Sequence, residues 1–173
     1  SKDFFTTSSR IKTTPYTSRN EEAGVLKYTV YNRTLIPTIF NSLKEDYFHL
    51  LNYVQLWDVS VQKVIEIKGK NSLNLIKFLF CRNFNNVSPG KAYYAPIVNF
   101  EGGLLNDPVV FCVQEDIFLI SIADSDLFNW ISAINEVKEF KNKVIMTEIS
   151  TIAVQGPKSA SLLSKIFNED IKN

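Results

Sequence analysis

Apolar residues along this chain recur in short blocks, and the spacing within each block separates helices from strands. Val25–Val30 reads as a short strand and Leu35-Ile36-Pro37 as a bend. Leu43, Tyr47, Leu50, Leu51 and Val54 fall on one face of a helix over 43–56. Ser42 precedes that helix and Glu45 follows three residues later, the spacing of a capping box. Residues 62–68 form a strand ending at Gly69, and Leu73, Ile76, Leu79 and Phe80 mark a helix over 71–80. A loop rich in Asn, Ser, Pro and Gly covers 84–90. Two hairpin strands follow over 93–99 and 105–114, then a strand over 118–123, an amphipathic helix over 127–140 and a strand over 144–148. Strand, helix, strand, strand, helix, strand is the ferredoxin-like order, which predicts an α+β fold. Asp126 is placed to cap the helix that starts at Leu127. Ile152–Gln155 and 159–167 add one strand and one helix, separated by Gly156-Pro157. Before all this, Ser1–Arg19 is polar and threonine-rich, and reads as an extended arm lying on the body.

Composition narrows the function classes. The 173 residues are 45% hydrophobic and 21% charged, which suits a soluble globular protein. A net charge of +1 gives no electrostatic case for nucleic acid or for an anionic membrane surface. No apolar run approaches a bilayer span, and the start lacks a signal-peptide core, so the expected location is cytoplasmic. Cys81 and Cys112 lie in apolar settings and read as buried, inert thiols. The single histidine, His49, reads as a helix-surface residue. Nothing points to a metal site.

The densest chemistry lies in Gly90-Lys91-Ala92-Tyr93-Tyr94-Ala95-Pro96-Ile97-Val98-Asn99-Phe100-Glu101-Gly102-Gly103-Leu104-Leu105-Asn106-Asp107. Asn99–Gly103 is the turn of the hairpin, with the glycine pair expected to supply positive φ. Asp107 breaks an apolar pattern, and a carboxylate among apolar residues needs a partner. That makes it a candidate site residue. The run resembles the Gly-Lys-Ala-hydrophobic-Tyr…Asn-x-x-Gly-Gly-x-x-Asp-Asp signature of the folate-dependent T-protein family. Trp57-Asp58-Val59-Ser60 and Ala153-Val154-Gln155-Gly156-Pro157 are similar to two further motifs of that family, in the same order.

The resemblance implies a ferredoxin-like unit over 57–149, inserted in a folate-binding domain built from 1–56 and 150–173. Family chains run about twice this length and end in a further β domain. The chain is therefore expected to be truncated, with apolar surface uncovered at Ile152, Val154, Leu162 and Ile166. Four departures from the glycine-cleavage aminomethyltransferase point to the dimethylsulfoniopropionate demethylase branch. Val61-Gln62 stands in place of His-Met, Asn106 in place of the first aspartate, and Ser121-Ile122-Ala123-Asp124-Ser125-Asp126 in place of an Asn-Ala pair. Tyr31-Asn32-Arg33-Thr34-Leu35-Ile36-Pro37 replaces a Phe-x-Gly-Trp segment.

By resemblance, tetrahydrofolate accepts a methyl group from a small sulfonium donor, with no metal. Asp107 is the implied catalytic residue, and Tyr94, Asn106, Asp107, Ser121 and Asp124 the implied folate contacts. Replacing Asn106 by Asp would restore the family pair and is expected to be tolerated. The rivals are an aminomethyltransferase working with a lipoyl-carrying protein and a non-catalytic folate-binding relative. Homodimerisation of a full-length protein is left open.

Overall fold

The computed structural model describes residues 9–172, which divide into two compact units. One unit is Gln62–Ile149; the other joins the residues up to Val61 with those from Ser150 onward.

The discontinuous unit begins with α1 (Thr17–Glu22), β1 (Lys27–Tyr31), β2 (Thr34–Ile39), α2 (Leu43–Asn52) and β3 (Gln55–Asp58). The polar arm is thus helical from Thr17, and its first eight residues lie outside the described ones. Sequence periodicity misses α1 because Thr17–Glu22 contains no apolar residue. The expected bend at Leu35-Ile36-Pro37 is instead strand β2, paired antiparallel with β1. Asn32 and Arg33 supply the reversal at left-handed φ of 48° and 55°, a geometry normally favouring glycine or asparagine. Pro37 is tolerated in this two-stranded ribbon, and the register slips nearby, between Lys27 and Tyr28.

Ser42 caps α2 as expected. Its Oγ accepts the Glu45 N–H at 3.1 Å and donates to Glu45 Oε2 at 2.9 Å. The helix ends at Asn52, short of residue 56, because Gln55–Asp58 is drawn into a strand ladder. No residue of α2 is buried, and Leu43, Tyr47 and Leu51 stand exposed.

The continuous unit contains β4 (Val64–Lys68), α3 (Ser72–Leu79), β5 (Lys91–Tyr94), β6 (Ile97–Val98), β7 (Leu104–Asn106), β8 (Val109–Gln114), β9 (Ile117–Ser121), α4 (Leu127–Val137) and β10 (Lys143–Met146). Five strands form one sheet in the order β10-β4-β9-β8-β5, antiparallel at every step. That is the ferredoxin-like arrangement with β5 added at the edge. Alternation along the strands sends Ile65, Ile67, Val110, Cys112, Phe118 and Ile120 to one face. There they pack with Leu75 and Ile76 of α3 and Ile131 of α4. Burying each such Ile, Leu or Phe stabilises the unit by about 1.5–3 kcal/mol.

Two expectations change in this unit. The hairpin strands are not continuous. Pro96 and Pro108 lack an N–H for the ladder, and the hairpin breaks there into an outer β5–β8 ladder and an inner β6–β7 ladder. The Ala95 N–H still reaches the Pro108 carbonyl at 3.0 Å across the corner. At the tip only Gly102 has positive φ, at 84°. Gly103 lies close to the Asn99 side chain, whose Oδ1 accepts the N–H groups of Glu101 and Gly103. Asp126 does occupy the N-cap position of α4 but makes no side-chain capping bond.

After this unit come β11 (Ile152–Gln155) and α5 (Ser159–Phe167), both at their expected positions. β11 pairs antiparallel with β3, which ties residues 55–58 to the discontinuous unit. Gly156 has φ of 122°, and a Cβ there would collide with the Tyr53 carbonyl. Ile152 and Ile166 are exposed, while Val154 and Leu162 are half-buried. Cys112 is buried, but Cys81 is exposed, contrary to its apolar surroundings in sequence. No helix among the described residues is long and apolar enough to cross a membrane.

Candidate functional site

The proline-induced corner positions the candidate site. Asp107 lies between the end of β7 and Pro108, and Tyr94 ends β5 directly before the break. The corner turns both side chains outward. The Tyr94 hydroxyl donates to Asp107 Oδ2 at 3.2 Å. Tyr94 is 54% exposed, and Asp107 is exposed as well. The sequence argument for Asp107 assumed a carboxylate enclosed by apolar residues; the structure presents a solvated one held by a phenol. Partial desolvation first, then the hydrogen bond to Asp107 and its negative charge, raise the Tyr94 phenol above the usual tyrosine value. The Tyr94 carbonyl is fixed from behind by Arg82 Nη1 at 2.7 Å. Arg82 also lies 5.4 Å from the centre of the neighbouring Tyr93 ring.

Sheet register places Ser121 near this pair. Tyr94 opposes Val109, Val109 opposes Ser121, and Ser121 opposes Val64. Opposed residues share a face, so Tyr94 and Ser121 stand on the face opposite the helix-packed core, with Val109 between them. Past Ser121 the chain enters the loop before α4. Asp124, exposed, lies in this loop between Ala123 and Ser125.

Asn106 is only 4% exposed. Its Oδ1 accepts the Ala123 N–H at 3.0 Å, and its Nδ2 donates to the Ala123 carbonyl at 3.0 Å and to Ser125 Oγ at 2.7 Å. The amide therefore acts like one more peptide group, stitching the end of β7 to the loop after β9.

Sequence reasoning passed over a second carboxylate. Asp58, at the end of β3, is 7% exposed. Its Oδ2 accepts hydrogen bonds from the Thr14 hydroxyl and from Asn20 Nδ2, the latter at 2.8 Å. Its Oδ1 accepts the Ser60 N–H at 3.3 Å. The Tyr28 hydroxyl is buried without a hydrogen-bond partner among the described residues, and its pKa is raised by burial, then by the charges of Glu21 and Asp58. The Asp-Val-Ser motif carried a signal for this residue, but its partners lie 38 and 44 residues away.

With this geometry in view, comparison with known proteins is informative. The family described as the GCVT N-terminal domain matches residues 16–173. The chain belongs to that family. It is 37% identical over 166 residues to the dimethylsulfoniopropionate demethylase of Ruegeria pomeroyi, covering 96% of this chain and 46% of that one. The fold is similar to the crystal structure of the glycine cleavage system aminomethyltransferase T from Bartonella henselae. There the TM-score is 0.76 at 22% identity, over 90% of this chain and 43% of the other. The chain thus spans about half the length of the relatives it matches. The family is one of folate-dependent one-carbon transferases, and the fold of this chain is mixed α and β.

Proposed function

We propose that this GCVT-family chain forms the folate-facing part of a methyltransferase that moves a methyl group from dimethylsulfoniopropionate to tetrahydrofolate. The observation that carries the proposal is the Tyr94–Asp107 pair. An exposed aromatic face beside an exposed carboxylate suits a flat heterocycle bearing N–H donors. Tyr94 would supply stacking surface. Asp107 would accept a ring N–H and take up the proton released when that nitrogen is methylated. The donor's carbon–sulfur bond breaks as the carbon–nitrogen bond forms, and the electron pair leaves with sulfur as a neutral thioether. Such chemistry asks the protein mainly to align two reactants and exclude water. Ser121 and Asp124 are proposed to line the edge of the ring.

The choice of donor rests on the identity to the demethylase and on the four departures from the glycine-cleavage pattern. A cytoplasmic location is part of the same proposal. Calorimetric titration of the chain with tetrahydrofolate tests the folate assignment, and saturable binding that is lost in Tyr94→Ala is expected. Assays of methyl-tetrahydrofolate formation from dimethylsulfoniopropionate, and of methylene-tetrahydrofolate and ammonia formation from aminomethyl-lipoyl protein, test the donor. Turnover with the lipoyl protein alone would overturn the sulfonium assignment.

A further inference from the structure

We propose that Asn106 is a positioning residue, whose side-chain amide locks the Ala123–Ser125 loop against the Tyr94–Asp107 corner and so sets the width of the ring-binding edge. In its ligand-binding consequence this rests on the folate reading above; the coupling itself does not.

The case begins with hydrogen-bond accounting. A primary amide has two N–H donors and one carbonyl acceptor. Asn106 uses both kinds, pairing with the N–H and the C=O of the same residue, Ala123, and reaching Ser125 Oγ as well. The amide orientation is settled by these partners, since flipping it would set oxygen against oxygen and nitrogen against nitrogen. The Asn106 side chain is buried and its partners are half-buried, so a change there leaves polar atoms with little water to replace the lost partner.

The second step is adjacency. Asn106 and Asp107 are consecutive, but the Asn106 side chain is buried against the loop and Asp107 is exposed beside Tyr94. One faces the loop; the other faces Tyr94. A shift at Asn106 therefore rotates the peptide that carries Asp107, and with it the 3.2 Å contact to the phenol. The loop held on the other side carries Asp124. One amide thus fixes the spacing between two elements proposed to meet the ligand.

This reverses the expectation that Asn106→Asp is benign. A carboxylate has no donor. It would face the Ala123 carbonyl, oxygen to oxygen, in a place where its charge is desolvated. Restoring the aspartate pair of the glycine-cleavage branch would require a different loop after β9, and the sequence there does differ from that branch.

The test uses the chain carrying Asn106→Asp, with Ser125→Ala as a milder change that removes a single bond. Three readings are taken at neutral pH or by titration: exchange of the Ala123 amide by NMR, titration of the Tyr94 phenol assigned by comparison with Tyr94→Phe, and tetrahydrofolate affinity. Asn106→Asp should speed exchange at Ala123, move the Tyr94 pKa back toward the ordinary value, and weaken folate binding roughly tenfold, the equivalent of one buried hydrogen bond. Ser125→Ala should move all three in the same direction by less. A folded Asn106→Asp variant with unchanged Tyr94 titration and unchanged folate affinity overturns the proposal. If that variant does not fold, a Ser125→Ala chain that speeds Ala123 exchange but leaves Tyr94 untouched overturns it equally. Wild-type chain that fails to bind tetrahydrofolate would sink the functional reading, while the exchange and titration data would still decide the coupling.

Discussion

Asp58 and Asp107 are both carboxylates at or just beyond the end of a short strand, yet the fold treats them in opposite ways. Asp58 is enclosed and accepts from a hydroxyl, a side-chain amide and a backbone N–H. Asp107 is exposed and accepts from one phenol. A buried carboxylate with several donors is committed, because losing it strands every donor around it. An exposed carboxylate with one partner can exchange that partner for a ligand at little cost. The difference suits Asp58 to stability and leaves Asp107 available for the chemistry proposed above.

The largest effect should come from removing the chemistry without touching the fold. Asp107→Asn keeps one acceptor oxygen and nearly the same shape, but loses the charge and the capacity to take a proton. In a protein of its relatives' length, methyl transfer should fall by roughly 10²–10⁴-fold with Asp107 as the base. Steady-state assays at saturating sulfonium donor read this, and unfolding by urea should show a change within about 0.5 kcal/mol. Wild-type turnover in this variant would remove Asp107 from the site and erase the contrast with Asp58.

Asp58 should give the converse result. Asp58→Ala leaves Thr14 Oγ1, Asn20 Nδ2 and the Ser60 N–H without their acceptor in a buried place. The expected loss is about 3 kcal/mol of unfolding free energy. Asp58→Asn should recover part of it through its remaining oxygen. Urea titration followed by Trp57 fluorescence would check both, and an Asp58→Ala chain of wild-type stability would show that burial alone does not commit a carboxylate here.

The two carboxylates also differ in how far the sequence revealed them. Asp107 was singled out by its local run, where Tyr94, the turn and both prolines lie close in sequence, but its exposure was misread because the corner that turns it outward is a three-dimensional feature. Asp58 was not singled out, since Thr14 and Asn20 reach it from an arm whose polar composition gives no periodicity. The same division holds for the fold. The ferredoxin-like unit, β11 and α5 follow from apolar spacing, because each carries an apolar pattern, even though α5 buries no residue. α1 has no apolar residue, and β2 hides behind Pro37, so spacing could not find them. Asn106 shows a third case. Its residue type and position were readable, but its use depends on Ala123, seventeen residues away, meeting it in space.

The smallest effect concerns the proton between Tyr94 and Asp107, and it sharpens what exposure means for the site. The Tyr94 pKa is raised in the folded state above its reference value of 10.0, so the protonated phenol is the form that folding favours. The stability linked to it is complete below the unfolded pKa and is lost as pH rises through the higher folded one. Because the pair is solvated, that loss should be slight. In Asp107→Asn the neighbouring charge and the ionic acceptor are gone, and Tyr94 should titrate closer to the ordinary value. Partial desolvation, the first cause of the shift, stays in place and keeps some of the elevation. NMR titration of ring-labelled tyrosine, with Tyr94→Phe to assign the signal, measures the difference. A Tyr94 pKa unmoved by Asp107→Asn would mean that the phenol and the carboxylate do not share a hydrogen bond in solution. Asp107 would then be freer still than the comparison with Asp58 supposes, and ring binding would have to rely on Tyr94 for stacking alone.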